Sequence, residues 1–234
     1  MKTLFLTTAL AVLAAEAVTQ QLYTGARFDA SAMKWTFSDQ YRVPIEYPFT
    51  DGSVKPLWGF QVSFPVEYRL NKWLGFQTEI GFAKRGFALK LTGDEQGCDI
   101  TATARTTFRY FDFPLLIKTY LTHGTKEFYL LAGPSYSKVR DGKIHVAVTV
   151  NCGGDSDSDS DSEPLDLEDY PKTKTDFGLY GGLGYSKGDN RLRVFLEGRY
   201  FYGLKKQSEE GAEETIYNRG VVLSAGIVFG LLRK

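Results

Sequence analysis

Apolar and polar positions alternate over long stretches of the chain with a period of two rather than 3.6, which predicts strands with one greasy and one polar face. From Phe60, Val62, Phe64, Val66, Tyr68 and Leu70 fall on one face, and Gln61, Ser63, Glu67 and Arg69 on the other. After Asn71-Lys72 the pattern restarts, with Leu74, Phe76, Ile80 and Phe82 set against Gln77, Glu79, Ala83 and Arg85. Two long strands joined by a tight turn follow from this. A second pair places Phe111, Phe113, Leu115 and Ile117 against Asp112, Leu116 and Lys118, turns at 123–126, and returns from Phe128 to about Val139, a stretch apolar on both faces. In the third pair Phe177, Leu179, Leu183 and Tyr185 oppose Gly178, Tyr180, Gly182 and Gly184. After a turn at 187–190, Val194, Leu196 and Tyr200 oppose Arg193, Glu197 and Arg199. A closing strand runs from Val221 to Leu231, and a weaker opening strand from Leu22 to about Ala32 carries Tyr23, Arg27 and Asp29 on its polar face.

About eight strands result, the smallest number in transmembrane barrels. Connection lengths alternate: the turns near 71, 124 and 188 are short, whereas the links at 33–56, 92–102, 140–174 and 204–217 are long. Outer-membrane barrels alternate in this way, with tight periplasmic turns, long external loops and both chain ends on the periplasmic side. Pro65, Pro114 and Pro134 lie inside the strands, and because proline lacks an N–H the expectation there is a bulge or a local break.

The faces decide between a membrane barrel and a soluble carrier barrel. Pointed inward, Phe60, Phe64, Tyr68, Phe76, Phe82, Phe111, Phe113, Phe177, Tyr185 and Tyr200 would crowd a lumen that eight strands leave barely wide enough for side chains. Pointed outward they meet lipid. Glu67, Arg69, Glu79, Asp112, Lys118, Arg193, Glu197 and Arg199 then form a lumen charge network, paired because a buried charge without a partner is costly. The expected fold class is all-β, an eight-stranded antiparallel up-and-down transmembrane β-barrel.

Composition agrees: 14 Tyr, 17 Phe, 3 Trp and 24 Gly among 234 residues is an aromatic share suited to strands and membrane interfaces. Trp58, Trp73, Tyr200 and Tyr202, near strand ends, suit aromatic girdles. Residues 1–17 read as a signal peptide, with Lys2, an apolar run from Leu4 to Ala14 and a small-x-small site at Ala15-Glu16-Ala17. That leaves 18–234 as the barrel domain. The apolar run is too short to cross about 30 Å of hydrocarbon as a helix. The chain is formally neutral, which argues against nucleic acid as a partner. For Cys98 and Cys152, a disulfide and two free thiols both remain open.

The stretch Tyr110-Phe111-Asp112-Phe113-Pro114-Leu115-Leu116-Ile117-Lys118, followed by Phe128-Tyr129-Leu130-Leu131-Ala132-Gly133-Pro134, resembles the central pattern of the PorT-like outer-membrane β-barrel family. The resemblance is specific over about residues 108–137 and extends in layout to the Gly-rich strand and to Val221–Leu231. It implies an outer-membrane barrel and, for most such proteins, no defined activity. One departure from the wider outer-membrane pattern is the end Leu231-Leu232-Arg233-Lys234, where many barrels finish on an aromatic residue.

Candidate chemistry is sparse. Asp155, Asp157, Asp159 and Asp161 alternate with serines, and hard cations such as Ca²⁺ prefer carboxylate oxygens. Yet Ser160 stands where an EF-hand loop needs Gly, and Asp166 replaces its bidentate Glu. A solvated, flexible loop is the expectation for this run. The GLYGGLG stretch at 178–184 lacks the βαβ surroundings of a nucleotide site and reads as strand. His123 falls in a predicted periplasmic turn, and His145 in a loop with no recognisable Ser partner. The sequence thus predicts a non-catalytic outer-membrane protein without cofactor, exported, monomeric, bathed in outer-membrane lipid, and displaying four loops to an extracellular or envelope partner. The alternatives are a narrow small-solute pore and a lipid-modifying enzyme.

Overall fold

The computed structural model describes residues 21–37, 48–165, 174–206 and 216–232; residues 1–17, read above as a signal peptide, lie outside them. Nine strands follow in order: β1 (Gln21–Phe37), β2 (Phe49–Arg69), β3 (Leu74–Glu95), β4 (Cys98–Tyr120), β5 (Lys126–Cys152), β6 (Asp155–Pro164), β7 (Thr175–Gly188), β8 (Leu192–Gly203) and β9 (Ile216–Leu232). All pair antiparallel, and β1, β2, β3, β4, β5, β7, β8 and β9 close into a ring, with β9 returning to β1 through pairs such as Phe28↔Ala225. Only β6 stands outside the ring, paired to the distal half of β5.

Period two sets the inside and the outside. Along β2, Gln61, Ser63, Glu67 and Arg69 are buried, while Phe60 and Phe64 are 86% and 54% exposed. The same rule holds round the ring, so Ile80, Leu115, Leu130, Leu183, Leu196 and Leu223 form an outer apolar belt. Such a belt is stable only against acyl chains. Along β5, left open by its sequence, Phe128, Leu130 and Tyr136 point outward while Tyr129, Leu131, Ser135 and Ser137 point inward. Aromatic side chains also fill the lumen where glycine makes room. A Cβ on Gly178 would lie 2.5 Å from the Phe201 ring, and one on Gly184 2.4 Å from Tyr129.

Two expectations need correction. The links at 92–102 and 140–165 are strand rather than loop. β4 and β5 run for 23 and 27 residues, where crossing a bilayer takes about 9–11. Beyond the belt, the 49–56 half of β2 and the upper halves of β3, β4 and β5 therefore continue, joined by β6, as a five-stranded paddle. Its tips are two-residue turns with positive φ throughout, Gln96-Gly97 (54° and 82°) and Gly153-Gly154 (59° and 103°), the backbone that suits strand twist. A Cys98–Cys152 disulfide joins β4 to β5 at the top.

The prolines, secondly, make no bulge. On β2, the pairs Thr24↔Val66 and Arg27↔Ser63 with β1 flank Pro65 in unchanged register, while Pro65 itself pairs with Glu79 of β3. Pro114 and Pro134 behave alike between Thr78↔Leu115 and Gly81↔Asp112, and between Pro114↔Ser135 and Ile117↔Ala132. Each proline removes a rung on one side only. The Thr24 and Thr78 hydroxyls each donate to the carbonyl of the nearby proline, Pro65 and Pro114, at 3.1 Å. Register shifts occur elsewhere, at Leu22/Tyr23 against β9, at Phe49/Asp51 and Pro56/Val62 against β3, and between Arg109↔Asp141 and Tyr110↔Val139, which leaves Arg140 as the extra residue where barrel gives way to paddle.

Candidate functional site

Charged side chains of the inward rows meet across the lumen. Near the periplasmic end Glu127 accepts from Arg69, at 2.9 and 3.0 Å, and from Arg193. Arg69 also pairs with Glu67, which accepts from Lys118 at 2.9 Å and from the Tyr120 hydroxyl. Lys118 reaches Glu197 at 3.3 Å, and Arg199 bridges Glu197 to Glu79. Arg27 donates to both Glu79 oxygens, at 2.6 and 2.7 Å, and to Asp29. Signs alternate along this whole path, as desolvated charges require.

Above it Arg85 holds Asp112 at 2.9 Å and Asp176 at 3.1 Å, with Tyr180, Ser135 and Ser137 donating to Asp112. A lid of Trp35, Phe108, Tyr110 and Val139 covers that cluster on the outer side.

All eight residues expected in the network lie in the lumen. The structure adds Arg27, Asp29, Arg85, Glu127 and Asp176. Arg27, Asp29 and Arg85 already stood on the polar faces of their strands, while Glu127 and Asp176 continue the inward rows of Tyr129 and Gly178 by two residues.

The closed path leaves little room. At mid-height the free space between Arg27, Glu79, Asp112, Tyr180 and Arg199 is about 10 Å³, enough for one water at most. The periplasmic mouth opens into a vestibule of about 420 Å³ between Arg69, Arg193, His123 and Asp189. There the backbone N–H groups of Leu192 and Arg191 hold the Asp189 carboxyl below the usual carboxylate range.

The acidic run departs from its expectation. Asp155–Pro164 is strand β6, with Asp157, Asp159 and Asp161 opposite Val150, Val148 and Val146, and the serines on the other face. Among the described residues no three His, Cys, Asp or Glu side chains converge as metal ligands. His145, expected to lack a serine partner, has its Nδ1 2.7 Å from Ser162 Oγ across the β5–β6 ladder. Arg105 is its neighbour on the other side, and among the described residues no carboxylate orients the ring.

No curated protein matches the chain. Among solved structures it is similar to OprG of Pseudomonas aeruginosa (13% identity over 92% of this chain and 97% of that one, TM-score 0.45). It is also similar to Ail, the attachment invasion locus protein of Yersinia pestis (14% identity, 88% and 98%, TM-score 0.38), and to Neisserial surface protein A (15%, 89% and 96%, TM-score 0.36). Residues 36–208 match the model of the outer membrane protein beta-barrel domain. With the closed ring and its apolar girdle, that match makes this chain a member of the outer membrane protein beta-barrel domain family, resident in the cell outer membrane.

Proposed function

We propose that the protein is a non-catalytic scaffold, a barrel locked from within that carries a stiff external paddle for contact with a surface molecule or an envelope protein. Within its family we place it on the PorT-like side, on the strength of the motif spanning Tyr110–Lys118 and Phe128–Pro134. The observation that carries the reading is the lumen: opposite charges meet without interruption from Glu127 to Asp29, and the gap at mid-height is about 10 Å³. A channel for solutes needs a continuous wet path, and moving these pairs aside would leave buried charge unpartnered. Catalysis is disfavoured by the exposed His145–Ser162 pair, whose ring is oriented by no third group among the described residues.

Planar-bilayer recording of the purified protein tests the reading. No steady unitary conductance is expected, and steady channels would replace the scaffold with a small-solute pore. Phospholipid or lipid A turnover that falls on His145→Ala would replace it with an enzyme.

A further inference from the structure

The outer surface of β3, β4 and β5 changes abruptly above the belt. Phe82 and Phe111 pair across β3 and β4 and face outward. One outward residue higher, Lys84 pairs with Arg109 and Arg109 with Asp141; above these lie Thr107 and Lys143, then Arg105 beside His145. Lys84, Arg105, Arg109 and Lys143 line one open groove of about 790 Å³, floored by Gly142. Asp141 is the groove's one carboxylate among the described residues, engaged by Arg109 and by Arg140 at 3.6 Å. Lys84, Arg105 and Lys143 have no ion pair among the described residues, and the Arg109 side chain is 65% exposed. Every acid of β6 points to the opposite face of the paddle, since the serines share the groove's face through His145↔Ser162.

Height identifies the occupant. Successive outward residues climb about 5 Å once a strand tilt of about 40° is allowed for. Lys84 and Arg109 thus stand about 5 Å, Lys143 about 10 Å and Arg105 about 15 Å above the last ring of phenylalanines. The headgroup zone of a leaflet occupies about 5–8 Å beyond the hydrocarbon. Lys84 and Arg109, at that level on a surface continuous with the acyl-facing belt, are placed to meet lipid phosphate, and Lys143 and Arg105 carry the same cationic surface further outward. Arginine adds planar, bidentate donation to phosphate oxygens.

We infer that this groove is a docking site for the phosphorylated headgroup of an outer-leaflet glycolipid, bound by Lys84, Arg105, Arg109 and Lys143 while its acyl chains lie along Phe82 and Phe111. This inference does not depend on the scaffold reading, because it concerns the outer wall and leaves the lumen unchanged.

The test uses the full-length chain folded in phosphatidylcholine vesicles that contain either bisphosphorylated lipid A or the same lipid stripped of phosphate. Lipid retained after extraction into mild detergent is read by native mass spectrometry. Wild type is expected to keep the phosphorylated lipid at least about ten-fold better than Lys84→Gln/Arg105→Gln/Arg109→Gln/Lys143→Gln, since each cation near a membrane surface contributes measurably to anionic-lipid binding. The double variant Arg105→Gln/Lys143→Gln, which leaves the Arg109–Asp141 pair intact, should lose about three-fold, and keeps the test informative if the quadruple variant does not fold. Neutralising Lys72, Lys126, Lys187 and Arg191 at the periplasmic end should leave retention unchanged. Equal retention by wild type and double variant, equal retention of the dephosphorylated lipid, or displacement of the lipid by equimolar inorganic phosphate would each overturn the assignment.

Discussion

The lower and upper halves of β3–β5 obey opposite rules on one continuous backbone. In the barrel half Ile80, Phe82, Phe113 and Leu115 face out while Glu79, Asp112 and Lys118 face in. In the paddle half Lys90, Thr103 and Arg105 face out, whereas Leu89, Leu91, Ile100 and Val148 take the inward rows. The alternation never stops; its sense inverts near the Lys84–Arg109–Asp141 row, where β5 bulges at Arg140. Gly86 lies one row above, with φ of 153° and no room for a Cβ, which would sit 2.0 Å from the Thr106 carbonyl oxygen. Period two is a property of the strand, but the greasy side is whichever one avoids water. Below the row water is excluded by lipid outside, whereas above it the outer face is polar and the apolar inward row is only partly covered, with Val146 and Val148 39% and 36% exposed. The inversion therefore marks the outer edge of the membrane.

Three experiments would break or sharpen this contrast. The largest effect is expected inside the barrel, where Arg199→Met leaves Glu197 to Lys118 and Glu79 to Arg27 and the buried network one positive charge short. It should cost about 3–5 kcal/mol, seen as a lower urea midpoint and a lower temperature for loss of the fast-migrating band on unheated gels. A wild-type-like midpoint would mean that the lumen is wetter than its geometry indicates. Next, the same cation placed on the outer face of one strand should act differently in the two halves: Leu115→Arg at mid-belt should cost about 2–4 kcal/mol, and Thr103→Arg on the paddle less than about 0.5 kcal/mol. Equal penalties would misplace the membrane boundary. Least for the molecule as a whole, Cys98→Ser/Cys152→Ser should leave barrel migration unchanged and speed proteolysis within the paddle, because the bond staples only its tip. Loss of the migration shift would show barrel and paddle to be one cooperative unit.

What proved hard to read followed from local rules being overruled by partners. Asp155–Asp161 cannot bury apolar area alone, so disorder was the natural expectation, yet as an edge strand it needs only a backbone ladder. Val146, Val148 and Val150 supply that ladder with no charge directly opposite an aspartate. The Gly153-Gly154 pair between alternating runs was the available hairpin signal. A charged edge also deters pairing with further chains. Pro65, Pro114 and Pro134 were tolerated because each missing N–H faces one neighbour, so one ladder loses a rung while the other keeps its register. The His145–Ser162 contact depended on that same unforeseen hairpin. Glu127 and Asp176 fell near strand ends, where alternation carries least information.

The sequence alone determined that strands form, which side of each is greasy within the belt, which ends turn tightly, and hence that the chain closes in a membrane, because alternation and turn chemistry are local and lipid leaves no other way to satisfy the backbone. Tertiary structure decided which charge pairs with which, where the strands outrun the bilayer and how an aspartate–serine run becomes a strand. Those outcomes depend on register between segments remote in the chain, and a single strand's pattern carries no record of its neighbour's offset.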